Sequence, residues 1–132
     1  MKKTLFLMLA TVIAASAQAQ NNKEMKGSNI KTETLQLEQK WDKVFPQSEK
    51  VNHRKATFVN RYGITLAADI YWPKDSEGRM AAVAVSGPFG AVKEQSSGLY
   101  AQELAERGFL ALAFDPSFTG ESGGWPRRIA SP

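Results

Sequence analysis

Apolar and polar residues change their period several times along this chain, and the changes mark its elements. Ala81–Val85 is an apolar run without polar alternation, as in a strand covered on both faces. Ser86-Gly87-Pro88-Phe89-Gly90 interrupts it, because glycine and proline cannot continue a central strand there. A helix is predicted from Ser97 or Gly98 to about Arg107. Its stripe holds Leu99, Leu104 and Ala101/Ala105, and Gly108 supplies a left-handed stop. Phe109–Phe114 is a second buried strand, closed by Asp115-Pro116. Two buried strands joined by one helix form a β-α-β unit, and so a parallel pair. Loops at the carboxyl ends of such strands are where ligands bind.

Upstream the period is different. Leu37, Trp41, Val44 and Phe45 are spaced as one helical face, which predicts an amphipathic helix from Thr32 to Phe45, ended by Pro46. Lys50–Asn60 and Ile64–Tyr71 alternate as strands, and Asn60-Arg61-Tyr62-Gly63 between them suits a short hairpin loop. In the second strand Ile64, Leu66, Ala68, Ile70 and Trp72 share one face. Thr65, Asp69 and Tyr71 share the other, with Asp69 expected to be solvated or paired with an arginine. The fold class is therefore α/β, with an antiparallel hairpin followed by a parallel β-α-β unit.

Composition narrows the setting. A basic Met1-Lys2-Lys3, the apolar Leu5–Ala15 and a small-x-small Ala17-Gln18-Ala19 form a secretory signal peptide over residues 1–19. The apolar run is too short for a bilayer span. Residues 20–50 are then a polar leader and the amphipathic helix, and residues 51–132 a single domain. Export to a periplasm or the exterior is expected, without lipidation, since the chain has no cysteine. The formal charge of +4 falls to about +2 once Lys2 and Lys3 leave, and the remaining charges are interleaved. That pattern offers no nucleic-acid surface. No His/Cys/Asp/Glu grouping has metal-ligand spacing in the sequence, so no metal is expected. The strand–loop–helix outline also evokes a dinucleotide unit, but Gly87-Pro88-Phe89-Gly90-Ala91-Val92 lacks G-x-G-x-x-G and Pro88 removes a donor. No cofactor is expected.

Four motifs in order, FVNRYGITLAADIYWP, SGPFGAVKEQSSG, YAQELAERGFLALAFD and FTGESGG, resemble the amino-terminal part of an α/β-hydrolase, in its secreted, dienelactone-hydrolase-like branch. The likeness runs from about Val51 to Pro132. It implies an incomplete α/β-hydrolase sheet, in which later strands pair beyond the third. It also implies that the loop after the third strand gives a backbone N–H to an oxyanion hole. Carried onto this sequence, the donor is Phe89, since Pro88 has no N–H. Relatives often carry His-Gly where Ser86-Gly87 stands here. The loop from Asp115 to Ser122 corresponds to one that braces the site. In this family the nucleophile (Ser or Cys), the acid and the base follow in that order. All three are expected beyond this chain, which by itself should not hydrolyse anything.

Some residues imitate the missing ones. Gly120-Glu121-Ser122-Gly123-Gly124 spells G-x-S-x-G, but the preceding strand ends near Asp115 and Trp125-Pro126-Arg127-Arg128 opens no helix. Ser122 is therefore read as part of the bracing loop rather than as a nucleophile. His53, the only histidine, lies in the first strand, ahead of any candidate serine, and is read as a half-exposed strand histidine. Asp115 is expected to bond the backbone of its own loop. The functional expectation is the opening of an exported hydrolase for small ester-like substrates, free of the membrane after signal cleavage. The rival is a non-catalytic exported binding module built on the same opening. A genuine short protein would have blunted the Ala81–Val85 edge with charge, and this one has not.

Overall fold

The computed structural model describes residues 32–127. The expected signal peptide and leader ahead of residue 32 lie outside the described residues. Strand β1 (Val51–Val59) pairs antiparallel with β2 (Thr65–Pro73), in a register running from Val51 opposite Pro73 to Val59 opposite Thr65. Asn60 closes the hairpin: its Oδ1 accepts from the N–H groups of Tyr62 and Ile64 at 2.9 and 3.1 Å. Gly63 takes the left-handed φ of +82° that the loop requires.

Strand β3 (Ala82–Val85) leads through a loop into helix α1 (Ser96–Glu106) and then strand β4 (Leu110–Phe114). Gly108, at φ +97°, lets the chain leave the helix. β4 pairs parallel with β3 and antiparallel with β2. The sheet is therefore mixed, in the order β1-β2-β4-β3, with β1 and β3 at its edges. The α/β class expected from the sequence holds, with hairpin and parallel unit joined in one sheet.

Helix α1 covers one face. Its Ala101 and Ala105 meet Val51, Tyr71, Ala111 and Ala113 in the core, with Trp41, Val85 and Leu104 packed around them. The buried stripe runs through Ser97, Gly98, Ala101, Gln102 and Ala105. Small side chains at i, i+3 and i+4 bring the helix axis close to the sheet. Leu99 does not belong to this stripe and is 42% exposed. Two residues from Ala101, it lies about 200° around the helix.

The face of β2 expected to be polar is covered as well, alongside the buried Leu66 and Ala68 of its apolar face. Asp69 and Tyr71 are fully buried, whereas Ile70 and Trp72 on the opposite face are only half-buried. What covers them is the second departure from expectation. The amphipathic helix over Thr32–Phe45 does not form, and residues 32–50 contain neither helix nor strand. Their backbone groups are engaged at long range instead. The Glu38 N–H donates to Glu121 Oε1 at 2.6 Å, and the Val44 N–H to the Glu94 carbonyl at 3.1 Å. The Trp41 indole N–H donates to the Phe45 carbonyl at 2.8 Å. Gln102 of α1 fixes the end of this strap, accepting from Ser48 N–H at 3.0 Å and donating to the Pro46 carbonyl at 3.1 Å. Phe45, 7% exposed, fits against Gly98, where a Cβ would fall 3.1 Å from its ring and 2.2 Å from the Lys93 carbonyl.

Candidate functional site

The loops leaving the carboxyl ends of β3 and β4 lie side by side, joined by a buried ion-pair knot. Asp115, fully buried, is its centre. Its Oδ1 accepts from the Lys93 N–H at 2.7 Å, and its Oδ2 from the Glu121 N–H and Lys93 Nζ, both at 2.9 Å. Asp115 therefore bonds its own loop and the neighbouring one together. Lys93 Nζ, also fully buried, donates further to Glu121 Oε2 at 2.6 Å and to Glu94. Burial alone would lower the Lys93 pKa, but its hydrogen bonds to Glu121 and Glu94 and the charge of Asp115 raise it well above the usual lysine value. Lys93 stays an ammonium.

The knot extends outward to the strap. Lys55 Nζ donates to Glu121 Oε2 and Asp42 Oδ2, each at 2.6 Å. Lys43 Nζ bridges Asp42 Oδ1 at 2.5 Å and Asp69 Oδ2 at 3.0 Å. Burial acts to raise the Asp42 carboxyl, yet Lys43 and Lys55 hold it down at about 2. Glu121 is lowered in the same manner by Lys55 and Lys93. Among the described residues the ligand atoms of Asp42, Glu94 and Glu121 converge within 4.8 Å, a grouping that sequence spacing does not reveal. Lysine ammonium groups already neutralise it: Lys55 Nζ sits on Asp42 and Glu121 and lies 3.8 Å from Glu94.

The residues that imitate a triad are not brought together as one. Ser122 is 1% exposed; its Oγ donates to the Asp115 carbonyl and accepts from the Ala67 N–H, both at 2.8 Å. It fastens the loop to β2. The glycines beside it are there for space: a Cβ on Gly120, at φ +53°, would lie 2.1 Å from Asp115 Oδ2. One on Gly124, at φ +106°, would strike the Phe118 ring at 2.6 Å. Phe118 itself holds a left-handed φ of 70°, a strained position for a side chain of its size.

His53 and Asp69 do form a pair, Nε2 to Oδ1 at 2.7 Å, beneath the Trp41 ring. Asp69 is neither solvated nor bound by arginine as expected. His53 and the strap's own Lys43 flank it, and Trp41 of the strap packs on His53. The pair stands on β1 and β2, with Tyr71 packed 4.9 Å from the imidazole centroid. Burial and then the nearby Asp69, Glu94 and Asp42 charges push the Tyr71 phenol far above its usual value.

Phe89 lies in the loop between β3 and α1. The Ala91 N–H donates to the Pro88 carbonyl at 3.0 Å, and Gly90 follows at φ +80°. This is a type II turn with Phe89 at its second position. The Phe89 side chain is 80% exposed, and its N–H makes no hydrogen bond among the described residues.

No protein-family model matches the chain. It is 61% identical over 127 residues to the uncharacterized protein PA2218 of Pseudomonas aeruginosa, a match covering 96% of this chain and 33% of that protein. It is 44% identical over 84 residues to the uncharacterized protein YcjY of Escherichia coli, covering 61% of this chain and 28% of the other. The chain thus spans about a third of the length of these curated relatives. The crystal structure of the Pseudomonas protein superposes on 75% of this chain and 31% of its own, with a TM-score of 0.73 and 70% identity. Brefeldin A esterase, a bacterial homologue of human hormone-sensitive lipase, is more distant, at 18% identity and a TM-score of 0.45. That match spans 81% of this chain and 28% of the esterase.

Proposed function

We propose that this chain is the amino-terminal part of an exported α/β-hydrolase of the dienelactone-hydrolase-like branch, acting on small carboxylic esters or lactones. The observation that carries the reading is the unengaged Phe89 N–H, held in a turn at the carboxyl end of β3. In hydrolases of this fold the β3–α loop supplies one of two N–H donors to the oxyanion. The loop after β4 braces it through Asp115 and Lys93. An activated Ser or Cys from the rest of the protein attacks the ester carbonyl, and an acyl-enzyme forms as the alkoxide leaves. Phe89 N–H stabilises the negative charge that develops on the carbonyl oxygen. The chain contributes no nucleophile, acid or base, and the chemistry calls for no cofactor, metal or nucleic acid. A signal peptide over residues 1–19 exports the protein. The non-catalytic binding module is the weaker reading, because Ala82–Val85 carries no charge to protect it as a permanent edge.

The test is a chimera in which this chain replaces the matching third of the Pseudomonas relative, assayed on p-nitrophenyl esters. The chimera should hydrolyse them and the isolated chain should not. Phe89→Pro, which deletes the N–H, should lower kcat about 10²–10³-fold with little effect on KM. A folded chimera without esterase activity, or one indifferent to Phe89→Pro, would overturn the proposal.

A further inference from the structure

The strap and strand β1 enclose a cavity of about 410 Å³, lined by residues 37–41 and 47 of the strap and 53–55 of β1. Small-molecule pockets run from roughly 300 to 1,000 Å³, so there is room for a compact organic ligand. The cavity lies at the β1 edge of the sheet, and β2 and β4 stand between that edge and β3, whose loop carries Phe89. Its walls are fixed. The Glu38 N–H is tied to Glu121, and Trp41 is held by its indole N–H on the Phe45 carbonyl and by edge packing against His53. With that N–H spent, the Trp41 side chain offers the cavity only apolar surface, as does Leu37.

The charges around the cavity do not balance. Lys55 is spent on Asp42 and Glu121, at 2.6 Å each. Lys40 and Arg54 are exposed and take part in no ion pair among the described residues. The lining holds one carboxylate, Glu38, whose Oε1 accepts the Lys40 N–H at 3.0 Å. The surplus is a single positive charge. We propose that this cavity binds a small organic carboxylate, with its anionic group on Arg54 and Lys40 and its apolar body against Trp41 and Leu37. The planar guanidinium pairs with a carboxylate through two parallel N–H···O bonds, and the lysine adds a point charge. A monoanion matches the surplus. A phosphate monoester, close to a dianion at pH 8, would set a second negative charge against Glu38 with no cation to meet it. The inference rests on the cavity and not on ester hydrolysis.

The test is to titrate the full chain, at low micromolar concentration to limit association, with sodium benzoate at pH 8 and low ionic strength, and to follow binding by saturation-transfer NMR. Saturable binding is expected, with the neutral isostere benzamide and with phenyl phosphate each at least about 10-fold weaker. Arg54→Gln and Lys40→Gln should each weaken benzoate about 10-fold. Glu38→Gln should tighten it, and Lys74→Gln, an exposed cation outside the cavity, should leave it unchanged. No saturable binding, benzamide or phenyl phosphate bound as tightly as benzoate, or an affinity indifferent to both Arg54→Gln and Lys40→Gln would overturn the proposal. So would benzoate binding in the chimera that Phe89→Pro abolishes, since that places the carboxylate in the ester site. A chimera that binds benzoate through Arg54 but cleaves no ester leaves this site standing and removes the hydrolase reading.

Discussion

At the scale of single residues, Asp115 and Gly120 explain why a G-x-S-x-G string appears where no nucleophile stands. The Asp115 carboxylate needs donors on every side, and the loop wraps it so closely that residue 120 has no room for a Cβ. Gly120→Ala should therefore cost several kcal/mol, the sum of a left-handed conformation and a displaced buried carboxylate, each worth about 1–3 kcal/mol. Gly78→Ala is the matched control. Its φ is +75°, but its Cβ would meet nothing within 4 Å, so only the conformational cost of about 1 kcal/mol remains. Thermal unfolding of the two variants should rank them in that order. Lys93→Met leaves the buried Asp115 without its cation, while Glu121 keeps Lys55, and should destabilise by about 3–5 kcal/mol, more than Ser122→Ala at about 1–3 kcal/mol. In the chimera Ser122→Ala should retain the acyl-enzyme burst. Loss of that burst in a folded protein would make Ser122 the nucleophile after all.

At the scale of elements, the hairpin, the helix and the parallel pair were legible because each is signalled locally, by turn residues and by the period of its apolar positions. The strap was not. Leu37, Trp41, Val44 and Phe45 do repeat at helical spacing, but Val44 is 75% exposed and the backbone around it bonds to Glu94 and Glu121. Distant partners of this kind leave no periodic trace. The same gap explains the buried polar face of β2: Asp69 looks solvated until Lys43 and His53 are seen beside it. Because the strap is held by carboxylates, its attachment depends on pH, and the sign follows from the shifts. Asp42 is lowered from 3.8 to about 2, and Glu121 is lowered from 4.5. Their stabilisation is complete above these ordinary values and is lost as pH falls through the depressed ones. Lys55 and Lys93 are raised from 10.5, so theirs is complete below that value and lost above it. The melting temperature should be flat from about pH 5 to 10 and fall on both sides. Asp42→Asn with Glu121→Gln should lower the plateau and flatten the acid limb. An unchanged acid limb would place the titration elsewhere.

At the scale of the whole molecule, a sheet with one face half-exposed and one uncharged edge cannot be indifferent to its surroundings. The covered side is well made, with a polar knot whose charges are paired and an alanine-rich helix interface. The other side exposes Ala82 and Ala84 and leaves Leu110, Leu112 and Phe114 half-exposed, next to Phe58 at 39% exposure. An edge of this kind is a template for strand addition, and in the absence of its own partner the nearest source is another copy. The isolated chain should accordingly be prone to aggregate, bind a hydrophobic dye, and yield no protease-resistant core at concentrations where aggregation competes. A single lysine at position 84 separates the two causes. If edge pairing drives association, Ala84→Lys should raise the soluble monomer fraction several-fold in sedimentation, while dye binding persists because the face is unchanged. If the apolar face alone drives it, the monomer fraction should stay where it was. The first result would make β3 the element through which this sheet grows, and the choice of partner would then rest on which strand reaches that edge first.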